Sequence, residues 1–215
     1  MAFRMRSVSC RDLDGTSVSD FSPLGSLLNL EKLSLCTKNT GVDISPLSKL
    51  SELKELSLFP QSVPAGTIDI SALSSLANLE SLLLEDYSKI DTSALSNLTK
   101  LKSLVLKNTG TRNINALGSL TNLVDLELGD NQITDIRALS YLTNLETLLL
   151  NDNQIADISA LSGLTNLEML SLDNNQIQDI SALRNMTRLD YLNLKNNPIR
   201  DYSPIEDLNI GVLYN

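Results

Sequence analysis

The sequence predicts an α/β solenoid, a curved right-handed coil with a parallel β-sheet on its concave face and short 3₁₀ or helical turns on its convex face. Three observations carry this expectation. Leucines recur at a spacing of mostly 22 residues along nearly the whole 215-residue chain. Each unit holds one strand-length alternation of apolar and polar residues followed by one short turn signal. The 42% hydrophobic share is drawn mainly from Leu and Ile, with 3 Phe, 5 Tyr and no Trp, so the core repeats a small aliphatic unit.

Units begin at Met5, Leu27, Leu50, Leu76, Leu98, Leu120, Leu142, Leu164 and Met186, with a stub from Leu208. They predict one domain over 1–215, with about nine full repeats over 5–207 and a truncated repeat over 208–215. The clearest copies are "LTNLETLLLNDNQIADISALSG" from Leu142 and "LTNLEMLSLDNNQIQDISALRN" from Leu164. Both follow L-x-x-L-x-L-x-x-N-x-L/I, and that pattern at a period of about 20 to 29 residues defines a leucine-rich repeat.

Each position has a physical task. Leu148 and Leu150 alternate with Thr147 and Leu149, so a short strand turns its leucines inward and its alternates outward. Asn153 is expected to turn inward and to bond backbone groups that the loop leaving the strand would otherwise leave unpaired. Ile158 and Leu161 return the chain to the core. Ser159 is expected to cap the short turn there, as are Ser22, Ser45, Ser71, Ser93, Ser181 and Ser203 in their own units. One coil cannot bury this face alone, so coils stack at about 4.8 Å each. At the ends, "MAFRMRSVSC" is expected to lie across the first coil as a makeshift cap, and "LNIGVLYN" to dock as a truncated strand against Leu192 and Leu194.

The unit with "LTNL", "NQI" and "DISAL" or "DISPL" resembles the repeat domain of bacterial internalin-like proteins over Met5 to about Tyr214. The resemblance implies a curved scaffold that binds another protein through its concave face, with no enzymatic activity and no cofactor. The chain departs from that family in showing no export signal, no helical N-terminal cap, no immunoglobulin-like domain after the repeats and no wall anchor. The expectation as written is therefore cytoplasmic, or secreted or surface-attached if the chain is an excised domain or is exported without a signal peptide.

The copying breaks in one place. The unit from Leu50 carries four residues beyond the period within "FPQSVPAGTID", and the unit from Leu27 carries one near "CTKNTGVD". Both additions fall after the strand, so residues 59–68 are expected to form a rim loop, where binding residues concentrate. The asparagine position changes nearby as well: it reads Asn131, Asn153, Asn175 and Asn197 in later units, but Thr109, Tyr87 and Gln61 in the fifth, fourth and third.

Outward strand positions fall in three columns. The first is Cys10, Lys32, Glu55, Ser81, Ser103, Asp125, Thr147, Met169 and Tyr191; the second includes Ser57, Leu83, Val105, Glu127, Leu149 and Ser171; the third includes Cys36, Phe59, Glu85, Lys107, Gly129 and Asp173. A solvated face would be polar throughout, yet Phe59, Leu83 and Val105 occupy three successive coils beside the insertion, with Leu149, Met169 and Tyr191 farther along. Acidic residues border them. An apolar centre with a charged rim is the anatomy of a protein interface. The expected partner-binding residues are Phe59, Leu83, Glu85, Val105, Asp125, Glu127, Leu149, Met169, Asp173 and Tyr191.

Net charge is -9, with 17 Lys and Arg scattered singly, so nucleic acid and anionic membrane are poor partners while a basic protein surface is steered toward the chain. No segment approaches the roughly 18 apolar residues of a membrane helix. The chain is expected to be a monomer, non-enzymatic, with no catalytic or metal-binding residues. There is no histidine. Asp125 and Glu127 stand on an open sheet with nothing to desolvate them, and the oxygen-rich row of Asn108, Asp130, Asp152 and Asn174 is expected from solvated repeat loops. Cys10 and Cys36 are expected about 13 Å apart and free, since four strand positions separate them in this register. Besides adhesion, two other roles fit these features: an intracellular inhibitor occluding a basic enzyme, and a structural spacer of a longer protein.

Overall fold

The structure is a computed structural model that describes residues 7–8, 20–37, 41–61, 63 and 65–215. Among these, ten strands form one parallel sheet in chain order: β1 (Ser7–Val8), β2 (Lys32–Thr37), β3 (Glu55–Pro60), β4 (Ser81–Glu85), β5 (Ser103–Lys107), β6 (Asp125–Glu127), β7 (Thr147–Leu149), β8 (Met169–Ser171), β9 (Tyr191–Asn193) and β10 (Val212–Tyr214). A 3₁₀ turn of three to five residues separates each strand from the next from β2 onward. The fold is the leucine-rich repeat solenoid that the period predicts.

Parallel stacking follows from the repeat length, because each coil returns its second leucine to the same height. Leu33, Leu56, Leu82, Leu104, Leu126, Leu148, Leu170 and Leu192 stand directly opposite one another from β2 to β9. None of them is more than 2% exposed. Ile133, Ile155 and Ile177 bring the descending flank into the same core, and Leu139, Leu161 and Leu183 bring in the turns.

The buried asparagines form the expected ladder. The Asn153 side-chain amide donates to the carbonyls of Leu128 (2.9 Å), Leu150 (3.1 Å) and Asn151 (3.1 Å), while its oxygen accepts from the Ile133 N–H at 3.0 Å. Asn131, Asn175 and Asn197 repeat the arrangement in their own coils. The residue before the ladder is in the left-handed region in six coils: Asp86, Asn108, Asp130, Asp152, Asn174 and Asn196 have φ between 49° and 64°. Short Asn and Asp side chains tolerate that conformation better than other L-residues, so backbone geometry explains the oxygen-rich row. A second ladder, not anticipated, uses the asparagine of "LTNL" or "LANL": Asn78, Asn122, Asn144 and Asn166 each donate to a carbonyl of the preceding coil, those of Ser51, Thr99, Thr121 and Thr143.

Four expectations are corrected. The turns are capped by the aspartate two positions before the serine: the carboxylates of Asp20, Asp43, Asp69, Asp91, Asp157, Asp179 and Asp201 accept the backbone N–H of Ser22, Ser45, Ser71, Ser93, Ser159, Ser181 and Ser203. An Asp carboxylate reaches forward to that N–H, whereas each serine is already inside its turn. In the first coil Ser7 stands opposite Lys32 and Val8 opposite Leu33, three positions earlier than the register that put Cys10 beside Lys32. Cys36 is disulfide-bonded rather than free. The one other cysteine in the sequence, Cys10, lies outside the described residues, as does the segment expected to cap the first coil apart from Ser7 and Val8, which form β1. In the third coil Ala65, not Gln61, takes the asparagine position, since it bridges to Tyr87.

The C-terminal stub docks as expected. Val212, Leu213 and Tyr214 pair with Tyr191, Leu192 and Asn193, and the Leu194 N–H donates to the Tyr214 carbonyl at 2.6 Å.

Two outcomes follow from these bonds. Asn153→Ala leaves buried carbonyls and the Ile133 N–H unpaired, at about 1 to 3 kcal/mol per group, so in chemical denaturation it should lose much more stability than Asn151→Ala, whose side chain is half-buried on the sheet face. Equal losses would contradict the ladder. The second outcome concerns acid. Bonds from the turn N–H, then the serine hydroxyl, hold Asp43, Asp69, Asp91, Asp157 and Asp201 below their ordinary 3.8. For Asp20 the Ser22 hydroxyl leads, and for Asp135 the Arg137 guanidinium leads and lowers it to about 2. A depressed folded value stabilises above the unfolded pKa and is lost as pH falls through the folded one. The melting temperature should therefore fall between about pH 4 and 2, and Asp157→Asn, which keeps the acceptor without the titration, should fall less.

Candidate protein-binding face

Strand register fixes which outward side chains are neighbours. One row runs Ser57, Leu83, Val105, Glu127, Leu149, Ser171 and Asn193, each directly opposite the next. A parallel row runs Glu55, Ser81, Ser103, Asp125, Thr147, Met169 and Tyr191. Leu83 and Val105 are therefore in direct cross-strand register, and Phe59 is diagonal to Leu83, two residues beyond Ser57. All three are half-buried, as are Glu85, Glu127, Leu149, Asp173 and Tyr191, while Asp125 and Met169 are exposed. All ten residues expected from the sequence sit at outward positions of the sheet or, for Asp173, just beyond β8.

The insertion is bounded by register. Leu58 stands opposite Leu84, 26 positions on, whereas Ala65 stands opposite Tyr87, 22 positions on, so the four extra residues lie between Leu58 and Ala65. Tyr87 fills the place an asparagine takes elsewhere. It is 2% exposed, and its hydroxyl lies 2.8 Å from that of Thr37, which also donates to the Phe59 carbonyl at 3.3 Å. Burial pushes the Tyr87 phenol up, partly offset by that hydroxyl bond. The Gln61 N–H donates to the Thr37 carbonyl and the Ser88 N–H to the Gly66 carbonyl. The loop is thus clasped at both feet, and Val63 at its tip is 59% exposed. Ser62 and Pro64 lie outside the described residues.

Next to the clasp the descending flank is also irregular. Lys89 and Thr111 stand where later coils place Ile133 and Ile155, and an open hollow of about 580 Å³ lies there against Lys89, Thr92, Gly110 and Arg112.

Charge is arranged unevenly. On the flank before the strands, Glu31, Glu80 and Glu168 are bonded to Lys54 (3.4 Å), Lys102 (2.8 Å) and Arg188 of the next coil. On the sheet, Lys32 pairs with Glu55 at 2.6 Å. Lys107 lies 3.8 Å from Asp130. Glu85, Asp125 and Glu127 make no ion pair among the described residues. Burial, then Glu127, then Asp86 push the Glu85 carboxyl above its ordinary value, with Lys107 partly offsetting. Asp173 accepts from the Ser171 hydroxyl at 2.6 Å and the Asn174 amide at 3.1 Å.

Sequence columns ended at Tyr191 and missed what β10 adds. Tyr214 meets Tyr191 edge-on with ring centroids 5.9 Å apart, and the Lys195 ammonium lies 4.6 Å from the Tyr214 centroid. The last coil is one residue short of the period and sets Tyr214 opposite Asn193, so counting by 22 from Asn193 passes it and lands on Asn215.

A family described as "Leucine Rich repeats (2 copies)" matches residues 143–185 and 165–209. No curated protein sequence matches significantly. Among solved structures, the chain is similar to an internalin C2 from Listeria monocytogenes, at 30% identity and TM-score 0.71, covering 97% of this chain and 80% of that one. It is similar to an internalin (InlF) from Listeria monocytogenes at 29% identity and TM-score 0.69, covering 92% of this chain and 64% of that one. A third likeness is the ectodomain of the Arabidopsis thaliana receptor kinase GASSHO1/SCHENGEN3, in complex with CASPARIAN STRIP INTEGRITY FACTOR 2. Identity there is 27% and the TM-score 0.74, with 90% of this chain and 24% of that one covered.

Proposed function

Because the chain belongs to the bacterial internalin-like leucine-rich repeat family, we propose that it is a non-enzymatic module that binds another protein through its concave face and the 59–68 rim loop. Leucine-rich repeat proteins are in general interaction modules, and the ectodomain of similar fold is seen in complex with CASPARIAN STRIP INTEGRITY FACTOR 2. The observation that carries the reading here is the juxtaposition of Leu83 and Val105 in register, with Phe59 diagonal to them at the foot of a clasped loop. A rigid apolar patch loses little on ordering when a partner covers it.

The reading extends to place. Disulfides persist in oxidising compartments, so the bonded state of Cys36 favours an adhesion or host-interaction role outside the cytosol over an intracellular inhibitor. Thiol titration of the purified, unreduced protein should find no free thiol; two free thiols would return the balance to a reducing compartment.

Truncating an aromatic anchor at an interface commonly costs at least about 2 kcal/mol. Phe59→Ala and Leu83→Asp should each weaken partner binding, measured by calorimetry, and leave the melting temperature nearly unchanged. Unchanged affinity in both variants would move the site off this patch.

A further inference from the structure

We propose that the concave face takes a lysine or arginine side chain of a basic partner protein. Its aliphatic stem would lie on Leu83 and Val105 and its cationic head between Glu85 and Glu127, with Asp125, two residues before Glu127 on β6, adding negative charge. This rests on the concave-face reading above and adds the chemistry of the partner.

Strand register sets the neighbours of this position. Val105 lies between Leu83 on β4 and Glu127 on β6, Ser103 lies between Ser81 and Asp125, and Glu85 is opposite Lys107. Gly129, following Glu127 by two residues, is buried, and a Cβ there would come within 2.8 Å of the Asn151 side chain. The side chains beside Asp125 are thus the short ones of Ser81 and Ser103, while the space at Gly129 is filled by the Asn151 side chain.

Charge selects the occupant. The fold neutralises carboxylates on its flank with cations from the adjacent coil but leaves these three without an ion pair, and the ammonium of the nearest lysine, Lys107, lies by Asp130. Glu127, after burial, disfavours the charge on Glu85 beside the Leu83–Val105 pair, so an incoming cation relieves repulsion that is already present. Among the described residues no three acidic, histidine or cysteine side chains converge closely enough to hold a metal ion. Glu85 and Glu127 flank the Leu83–Val105 pair without chelating, which suits a long side chain with an apolar stem and a charged tip. An anionic partner meets the wrong sign.

The test uses the full chain and a defined probe: a short blocked peptide with two arginines between leucines, and the same peptide with glutamates replacing the arginines. In an NMR titration the basic peptide should shift backbone signals of β4, β5 and β6, and the acidic one should not. The double variant Glu85→Gln with Glu127→Gln should weaken the basic peptide at least fivefold at unchanged melting temperature, whereas Glu168→Gln on the flank should not. Wild-type affinity should drop severalfold as salt rises from about 0.02 to 0.3 M. No shift on these strands, or equal weakening by the flank variant, overturns the proposal. A partner that depends on Phe59 and Leu83 but ignores the double variant would leave the concave-face reading standing and remove this inference alone.

Discussion

Every coil must turn its chain away from the sheet without stranding the carbonyls that then point inward, and the buried asparagine amide meets that constraint. Asn153 bonds carbonyls of its own coil and of the one before, and takes an N–H from that earlier coil too. A single side chain therefore fixes both the turn and the spacing to its neighbour. Leucine burial supplies the larger share of the driving force, but it is non-directional. The directional bonds keep successive strands in register, and register is what lines up side chains on the concave face.

Where that ladder stops, the molecule becomes irregular in several ways at once. Ala65, Tyr87 and Thr109 hold the asparagine place in three successive coils. The ties there are longer or more local: Tyr87 reaches across to Thr37, and Thr109 bonds Thr111 and the Leu106 carbonyl. A tie spanning two coils can close over extra residues between them, which an amide bonding only its neighbour cannot. The insertion, the hollow beside Lys89 and the Leu83–Val105 patch all fall in or next to these coils. Loss of one buried amide pattern thus opens the space in which a site can be built.

Most of the fold was legible because period and residue type carry it. The leucine rows, the ladder at Asn131, Asn153, Asn175 and Asn197, the outward columns and the docking of the stub all follow from counting. What was not legible depended on atoms closer than the period resolves. Serine and aspartate are both good caps, and the choice between them turns on whether the side chain stands before or inside the turn. The first coil departs from the period, so extending the count to Cys10 gave the wrong partner for Lys32. Tyr87 and Thr37 are 50 residues apart, beyond any single repeat, and no local pattern links them. The outer ladder was present in every "LTNL" but is silent until the next coil's carbonyl is placed beside it. Of the candidate site, the residues and their side of the sheet were readable; the uneven neutralisation of carboxylates was not, since it depends on which lysine reaches which neighbour.

Strand length adds a reason for placing the site in the first half of the molecule. β2 and β3 run six residues, β4 and β5 five, and β6 to β9 three. Long strands present three outward side chains in regular geometry, whereas short ones present two before the chain turns away. The sheet is consequently broadest where Phe59, Leu83, Glu85 and Val105 stand, and it narrows toward Leu149, Met169 and Tyr191. A partner needing a continuous contact gains most area per residue on the broad part, which is also the part held by the clasped loop. The aromatic pair of Tyr191 and Tyr214 with Lys195 lies at the narrow end. Breadth and apolar character coincide over β3 to β5, and the carboxylates without an ion pair, Glu85, Asp125 and Glu127, stand on β4 and on β6 beside them, which is why the proposed contact is placed on this part of the sheet.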